Sequence, residues 1–182
     1  MIRSFLPVVF IFMSHFCFSQ DTVKAVVKLG ERIPVRGTKV SIMPPDKFNF
    51  SEKINGFIHP GSASSIAITE AEGISWIQLC QNLSQNNLTG QNVTIVSQED
   101  VTLKTGITGR FYVIRIMVHS NDSTKQDIEF ERLMLFAGDY NYTVWLNANY
   151  PAMLKSVLYA TLRESMLSVE IDQPSNSVPD EK

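Results

Sequence analysis

The chain is poor in the residues that most often announce chemistry. Of 182 residues, two are cysteine and three are histidine. Cys17 lies in the apolar N-terminus, so a chain trimmed there keeps Cys80 alone and has no internal disulfide. A domain of about 160 residues buries enough surface to stand without one, even in an oxidising compartment. The single thiol left is either reactive or a small buried hydrophobe. Basic blocks are also missing. Sixteen Lys and Arg against 18 Asp and Glu leave a net charge of −2, or −3 without Arg3, which argues against nucleic acid and anionic lipid as partners. No His, Cys or carboxylate cluster has metal-ligand spacing, and His59 and His119 lie far apart. The G-x-S-x-G and phosphate-loop patterns are absent. Gly106-Ile107-Thr108-Gly109 is a turn feeding a strand, not the N-terminus of a helix where an anion would sit. Asp127, Glu129, Glu131 and Arg132 alternate along a strand and read as its solvated face. No catalytic, cofactor-binding or metal-binding residue is assigned. The expectation is a protein that is not an enzyme and has no cofactor.

One long apolar run is present, at the N-terminus. Arg3 precedes FLPVVFIFMSHFCF, Phe5 to Phe18, and Cys17 and Ser19 are the small residues at positions −3 and −1 of a cleavage site before Gln20. This is the layout of a secretory signal peptide. At about 14 residues the run is short of the roughly 20 needed to span a bilayer. Bulky His15 and Phe16 before Cys17 argue against acylation there. The reading is therefore a signal peptide over 1–19, an arm over 20–37, one domain over 38–172 and a disordered Pro/Ser-rich tail over 173–182. The mature protein is expected to be periplasmic or secreted, with no transmembrane segment. Six N-x-S/T sequons, at Asn49, Asn82, Asn87, Asn92, Asn121 and Asn141, matter only if the source is eukaryotic.

Within the domain, hydrophobic period places the elements. Thr38 to Met43 is a short strand stopped by Pro44-Pro45, because proline removes a ladder donor. Asp46 to Glu52 is a loop in which Phe48 and Phe50 cover one end of the core. Ile54 to His59 and Ser64 to Glu70 form a hairpin about Pro60-Gly61-Ser62, with glycine taking positive φ. Trp76, Ile77, Cys80 and Leu83 fall at helical spacing, so Cys80 lies on an apolar face and is read as buried. Asn92 to Leu103 is one strand or two, broken near Gln98-Glu99-Asp100. Arg110 to His119 is apolar on both faces, as in a strand covered on both sides. Asp127 to Ala137 and Tyr142 to Asn149 are strands about the turn Gly138-Asp139-Tyr140-Asn141. Pro151 opens a helix with a stripe of Met153, Leu154, Val157, Leu158, Leu162 and Met166, and Leu167 to Ile171 closes with a short strand. Antiparallel strands with one central and one C-terminal helix make an α+β domain, a sheet with helices packed on it.

Several pieces together resemble a known family. They are Val40-Ser41-Ile42-Met43-Pro44-Pro45; Gly56-Phe57 followed by Ser64 to Thr69; Leu135-Phe136-Ala137-Gly138-Asp139 with Tyr142-Thr143-Val144; and Tyr150-Pro151 before a helix ending in Glu164-Ser165-Met166-Leu167-Ser168-Val169. Their order is similar to the Mog1/PsbP-like fold family, which includes DcrB-like exported bacterial proteins of unknown function. The resemblance covers about residues 38–172 and implies an α/β/α sandwich around an antiparallel sheet. It implies accessory or protein-binding roles, with no catalytic set to carry over.

The expected function is a non-catalytic accessory or protein-interaction module of the cell envelope, with a protein as partner. Tyr112, Tyr140, Asn141, Tyr142 and Trp145 form the candidate interaction surface, since aromatic side chains anchor interfaces. The alternative is a small-ligand or lipid carrier with a pocket between the sheet and the C-terminal helix. Met43, Met117, Met134, Met153 and Met166 are its adaptable lining, although ordinary core filling is the preferred account of these methionines.

Overall fold

The computed structural model describes residues 27–81, 83, 92–119 and 126–172. The expected signal peptide, the start of the arm and the tail lie outside the described residues. In chain order the elements are β1 (Ile33–Pro34), β2 (Val40–Ile42), β3 (Asn49–Ser51), β4 (Gly56–His59), β5 (Ser64–Glu72), α1 (Trp76–Gln81), β6 (Val93–Thr102), β7 (Thr108–Val118), β8 (Ile128–Gly138), β9 (Tyr142–Pro151), α2 (Lys155–Leu167) and β10 (Glu170–Ile171). Seven strands form one antiparallel sheet in the order β3-β4-β5-β9-β8-β7-β6, and β1-β2-β10 form a second.

Strand β9 shows how the layers are set. Its period of two sends Val144, Leu146, Ala148 and Tyr150 to one face, all fully buried, and Trp145, Asn147 and Asn149 to the other. The first set packs with Ile66 and Ile68 of β5, Leu133 and Leu135 of β8, and Leu162 and Met166 of α2. Each such side chain contributes on the order of 1.5–3 kcal/mol by leaving water. Val40, Ile42 and Ile171 bring the small sheet onto the same side. On the opposite face, Tyr112, Ile114, Met134 and Phe136 pack against Cys80, Trp76 and Leu79 around α1. The result is an antiparallel sheet between helices, the α+β architecture expected.

Polar side chains fasten the small sheet to α2. The Ser165 hydroxyl donates to the Met43 carbonyl at 2.7 Å, and the Met43 amide donates to Ser168 Oγ at 2.9 Å. Both serines are buried, and these bonds satisfy them. At Gly109, β7 leaves no room for a side chain against β8: a Cβ there would stand 2.3 Å from the Phe136 carbonyl oxygen.

Several expectations are corrected. The loop over 46–52 contains edge strand β3. Within the expected arm, Ile33 and Pro34 pair with Ile42 and Ser41, and Val35 is buried in the core. Positive φ in the β4–β5 connection falls on Ala63, at +51°, after a 3-10 turn over Pro60–Ser62. Strand β6 runs unbroken through 98–100 and is irregular instead between Ile95 and Ser97. Strand β7 is covered on both faces only as far as Ile114, and Val118 is about half exposed. In α1, Ile77 faces solvent and Leu79 takes its place against the sheet. Pro151 ends β9 and caps a 3-10 turn over Ala152–Leu154, so α2 starts later than its proline implied. The helix meets the sheet from Leu158 onward, which leaves Met153 85 % exposed and Val157 out in solvent.

Candidate functional site

The β8–β9 turn is held by its own hydrogen bonds. Asp139 Oδ1 accepts the amides of Asn141 and Tyr142, both at 2.8 Å, and the Asp139 amide donates to the Tyr142 carbonyl at 2.9 Å. Aspartate mimics a backbone turn in this way. Gly138 lies at φ +154° with its Cα against the Tyr142 carbonyl, where a Cβ would stand 2.0 Å from that oxygen. The Gly73 amide donates to the Asn141 carbonyl at 2.8 Å, tying the turn to the segment before α1. The Tyr140 side chain, 87 % exposed, projects from this frame beside exposed Asn141. Tyr142 is half-buried at the rim, its hydroxyl on the Glu70 carboxylate and its ring under the Lys39 ammonium at 5.3 Å. Burial first, and the Glu70 contact second, hold its phenol well above the usual tyrosine range.

The other two expected anchors lie elsewhere. Tyr112 is 1 % exposed, in the core beneath α1, which corrects its placement on a surface. Strand β7 is apolar on both faces, and α1 covers the face that carries Tyr112. Its ring meets Phe136 edge-on at 6.1 Å, and burial, reinforced by the hydrogen bond with Cys80, pushes its phenol up to about 12. Cys80 is buried as expected, and burial raises its thiol too. Trp145 is half-buried, stacked on Phe136 at 5.3 Å, with its Nε1 buried and without an acceptor. Tyr140, Asn141 and Tyr142 therefore share one end of the molecule, while Tyr112 and Trp145 belong to the α1 side of the sheet.

The charges of β8 are the main surprise. Glu131, expected on a solvated face, is 1 % exposed. The Tyr150 hydroxyl donates to it, and Lys155 Nζ stands 2.7 Å from Oε1. Pro151 pairs with Phe130, so the chain turns into α2 directly over this end of β8 and brings Lys155 across the carboxylate. Burial and the Glu131 contact keep the Tyr150 phenol far above its ordinary value. A signal for this was present: the period of two from Leu133 and Leu135 puts Glu131 on their face. Arg132 points the opposite way, its Nε donating to Asn149 Oδ1 at 2.7 Å.

Among the described residues, the histidines do not converge with other reactive groups. His59 Nδ1 meets Ser62 Oγ at 2.9 Å, and His119 Nδ1 meets Asp127 at 2.7 Å. Among the described residues no three His, Cys, Asp or Glu side chains come together as a metal site. A shallow hollow of about 390 Å³ is lined by Thr105, Gly106, Ile107 and Ile171, none of them ionisable. The carrier reading loses its lining. Leu162 and Met166 are packed at zero exposure between α2 and the sheet, Met134 lies on the α1 side, and Met117 and Met153 are exposed. Among the described residues no helix is long and apolar enough to cross a membrane.

Comparison with solved structures identifies the fold. The chain superimposes on cyanobacterial PsbP (CyanoP) of Synechocystis with a TM-score of 0.55 and 9 % identity, over 81 % of this chain and 94 % of that one. It superimposes on the Ran-binding protein Mog1p of Saccharomyces cerevisiae with a TM-score of 0.50 and 12 % identity, over 80 % and 96 %. A point mutant of Mog1 matches likewise, with a TM-score of 0.51 and 12 % identity over 78 % and 95 %. No family model matches the sequence, and no curated protein does. At these identities the likeness is one of fold, and the fold is Mog1/PsbP-like, as the order of elements implied.

Proposed function

We propose that this chain, a domain of the Mog1/PsbP-like fold, is an exported, non-catalytic module of the cell envelope that binds a partner protein through its β8–β9 turn. One observation carries the reading: Tyr140 is almost wholly exposed on a turn that four hydrogen bonds involving Asp139, Tyr142 and Gly73 hold in one shape. An exposed tyrosine on a rigid frame offers a large contact area at little entropic cost on binding. The naming of Mog1p as a Ran-binding protein supports a protein as the class of partner for this fold. The apolar N-terminus with Ser19 before Gln20 supports export.

The test places a photo-crosslinking amino acid at Tyr140 in the native host and identifies what it captures. The captured protein is then titrated against the purified chain and against Tyr140→Ala. An aromatic anchor is worth about 2 kcal/mol, so the substitution should weaken binding about 30-fold. Tyr140 is 87 % exposed, so the variant should melt with the parent. Equal affinity of the two chains rejects the turn as the docking site. Sequencing the N-terminus of the purified host protein tests export, and a chain still beginning at Met1 rejects it.

A further inference from the structure

Among the described residues, no opposite charge answers Arg132. Five of the six described arginines, Arg32, Arg36, Arg110, Arg115 and Arg163, sit in ion pairs with carboxylates. Arg132 has none among the described residues. Its Nε donates to Asn149 Oδ1 at 2.7 Å, and its two terminal nitrogens have no acceptor there. Yet the side chain is half-buried, and desolvation holds the guanidinium below its usual value with nothing opposing it. Its terminal nitrogens are not sealed in the core, so they face solvent with their donors open to a ligand.

The neighbours form a surface. Register puts Arg132 in a row with Ile114 of β7, Asn149 of β9 and Ser65 of β5. Asn147, one step along, has its Oδ1 buried without a donor, so the amino side of its carboxamide is the open one. The Asn149 oxygen is already taken by Arg132. What this spot presents outward is therefore hydrogen-bond donors around one positive charge. Toward the far end of the same face the rows become apolar: Ile116 with Phe130, then Val118 with Ile128, the last two 48 % and 51 % exposed. From Arg132 to Ile128 the strip is roughly 13 Å long at strand rise.

We propose that this face of β7, β8 and β9 is a second docking surface, which takes an acidic side chain of a partner protein flanked by apolar residues. The carboxylate pairs with the Arg132 guanidinium and the Asn147 amide, and the apolar neighbours cover Ile116, Phe130, Val118 and Ile128. A guanidinium presents two parallel donors that match a carboxylate. One unpaired cation suits one carboxylate, and no second unpaired cation stands in these rows. The end of this face that carries Val118 and Ile128 is exposed strand surface rather than a concave site of the kind small ligands prefer. An arginine within an apolar patch is common anatomy for the centre of a protein interface. The inference does not rest on the β8–β9 turn, which lies at the opposite end of both strands.

The test is an NMR titration of the purified chain, reading the Arg132 Nε–Hε signal and the amides of Ile116, Phe130 and Ile128. The probes are the acetylated, amidated octapeptide Gly-Ser-Leu-Glu-Phe-Leu-Ser-Gly and its counterpart with glutamine in place of glutamate, with decanoate and inorganic phosphate as comparison ligands. The glutamate peptide should shift these signals saturably. The glutamine peptide should bind about tenfold more weakly, as should the glutamate peptide to Arg132→Gln. Tyr140→Ala should leave the titration unchanged, so this surface and the turn fail separately. Equal binding of the two peptides to the native chain overturns the proposal without any variant. So do an absence of shifts in the native chain, tighter binding of decanoate or phosphate, and an undiminished affinity of the glutamate peptide for Arg132→Gln.

Discussion

Glu131→Ala should destabilise the fold by roughly 3 kcal/mol, although sequence alone reads Glu131 as a surface charge. The native carboxylate accepts from the Tyr150 hydroxyl and from Lys155, and both Glu131 and Tyr150 are sealed from water. Truncation leaves the Tyr150 hydroxyl buried without an acceptor, a cost of about 1–3 kcal/mol. The lost side chain also leaves a void against α2, worth about another 1 kcal/mol. Lys155 adds little, because its side chain is about half exposed and returns to water. Glu131→Gln keeps an acceptor for Tyr150 and should cost about 1 kcal/mol. Urea unfolding followed by tryptophan fluorescence reads these differences, provided the denaturant slope is unchanged. A double-mutant cycle with Tyr150→Phe isolates the contact itself, with a coupling of about 1–2 kcal/mol expected. A Glu131→Ala variant within about 0.5 kcal/mol of the parent would refute the buried geometry and restore the solvated face.

Two further outcomes follow from burial. Tyr112, Tyr142 and Tyr150 all have phenols raised in the fold, with burial as the first cause. The stability they contribute is complete below the unfolded tyrosine value of about 10 and is lost as pH rises through their folded values, which for Tyr112 is about 12. Alkaline unfolding should therefore set in above about pH 10, with a slope of up to about 1.4 kcal/mol per pH unit for each such group, and Tyr112→Phe should flatten it. Ultraviolet difference absorbance tests this, and an unchanged slope in that variant counts against it. Cys80, in a chain with Cys17→Ser, should resist aromatic disulfide reagents in the native state and react fully in denaturant. Rapid native labelling would mean that α1 opens far more readily than its packing implies.

Much of this architecture is legible because it is local. Strands β5 and β9 announce themselves by alternation, the β8–β9 turn by Gly138 and Asp139, and α2 by its apolar spacing. The second sheet is not legible in the same way. Its strands are two or three residues long, and β2 pairs with β1 on one side and with β10, well over a hundred residues later, on the other. Periodicity carries no information at that length, and non-local pairing carries none at all. The same limit explains Met153 and Val157. The stripe on α2 is real, but where the helix meets the sheet depends on the 3-10 turn that precedes it.

The site divides along the same line. Tyr140 is legible as exposed because a two-stranded turn has nowhere to hide it. Tyr112 is not, because a strand apolar on both faces gives no hint of which aromatic is outermost. Glu131 and Arg132 make the sharper case. Adjacent residues of a strand point to opposite faces, so a neighbouring pair of charges cannot share one solvated face. In a sheet with helices on both sides, each must find a partner or carry the cost of lacking one. β8 lies between β9 and β7, near the middle of the sheet, so both charges meet that demand. Glu131 answers it with Tyr150 and Lys155, whereas Arg132, among the described residues, has only a neutral carboxamide. Its presence in a central strand is most simply understood if its counter-charge arrives with another molecule.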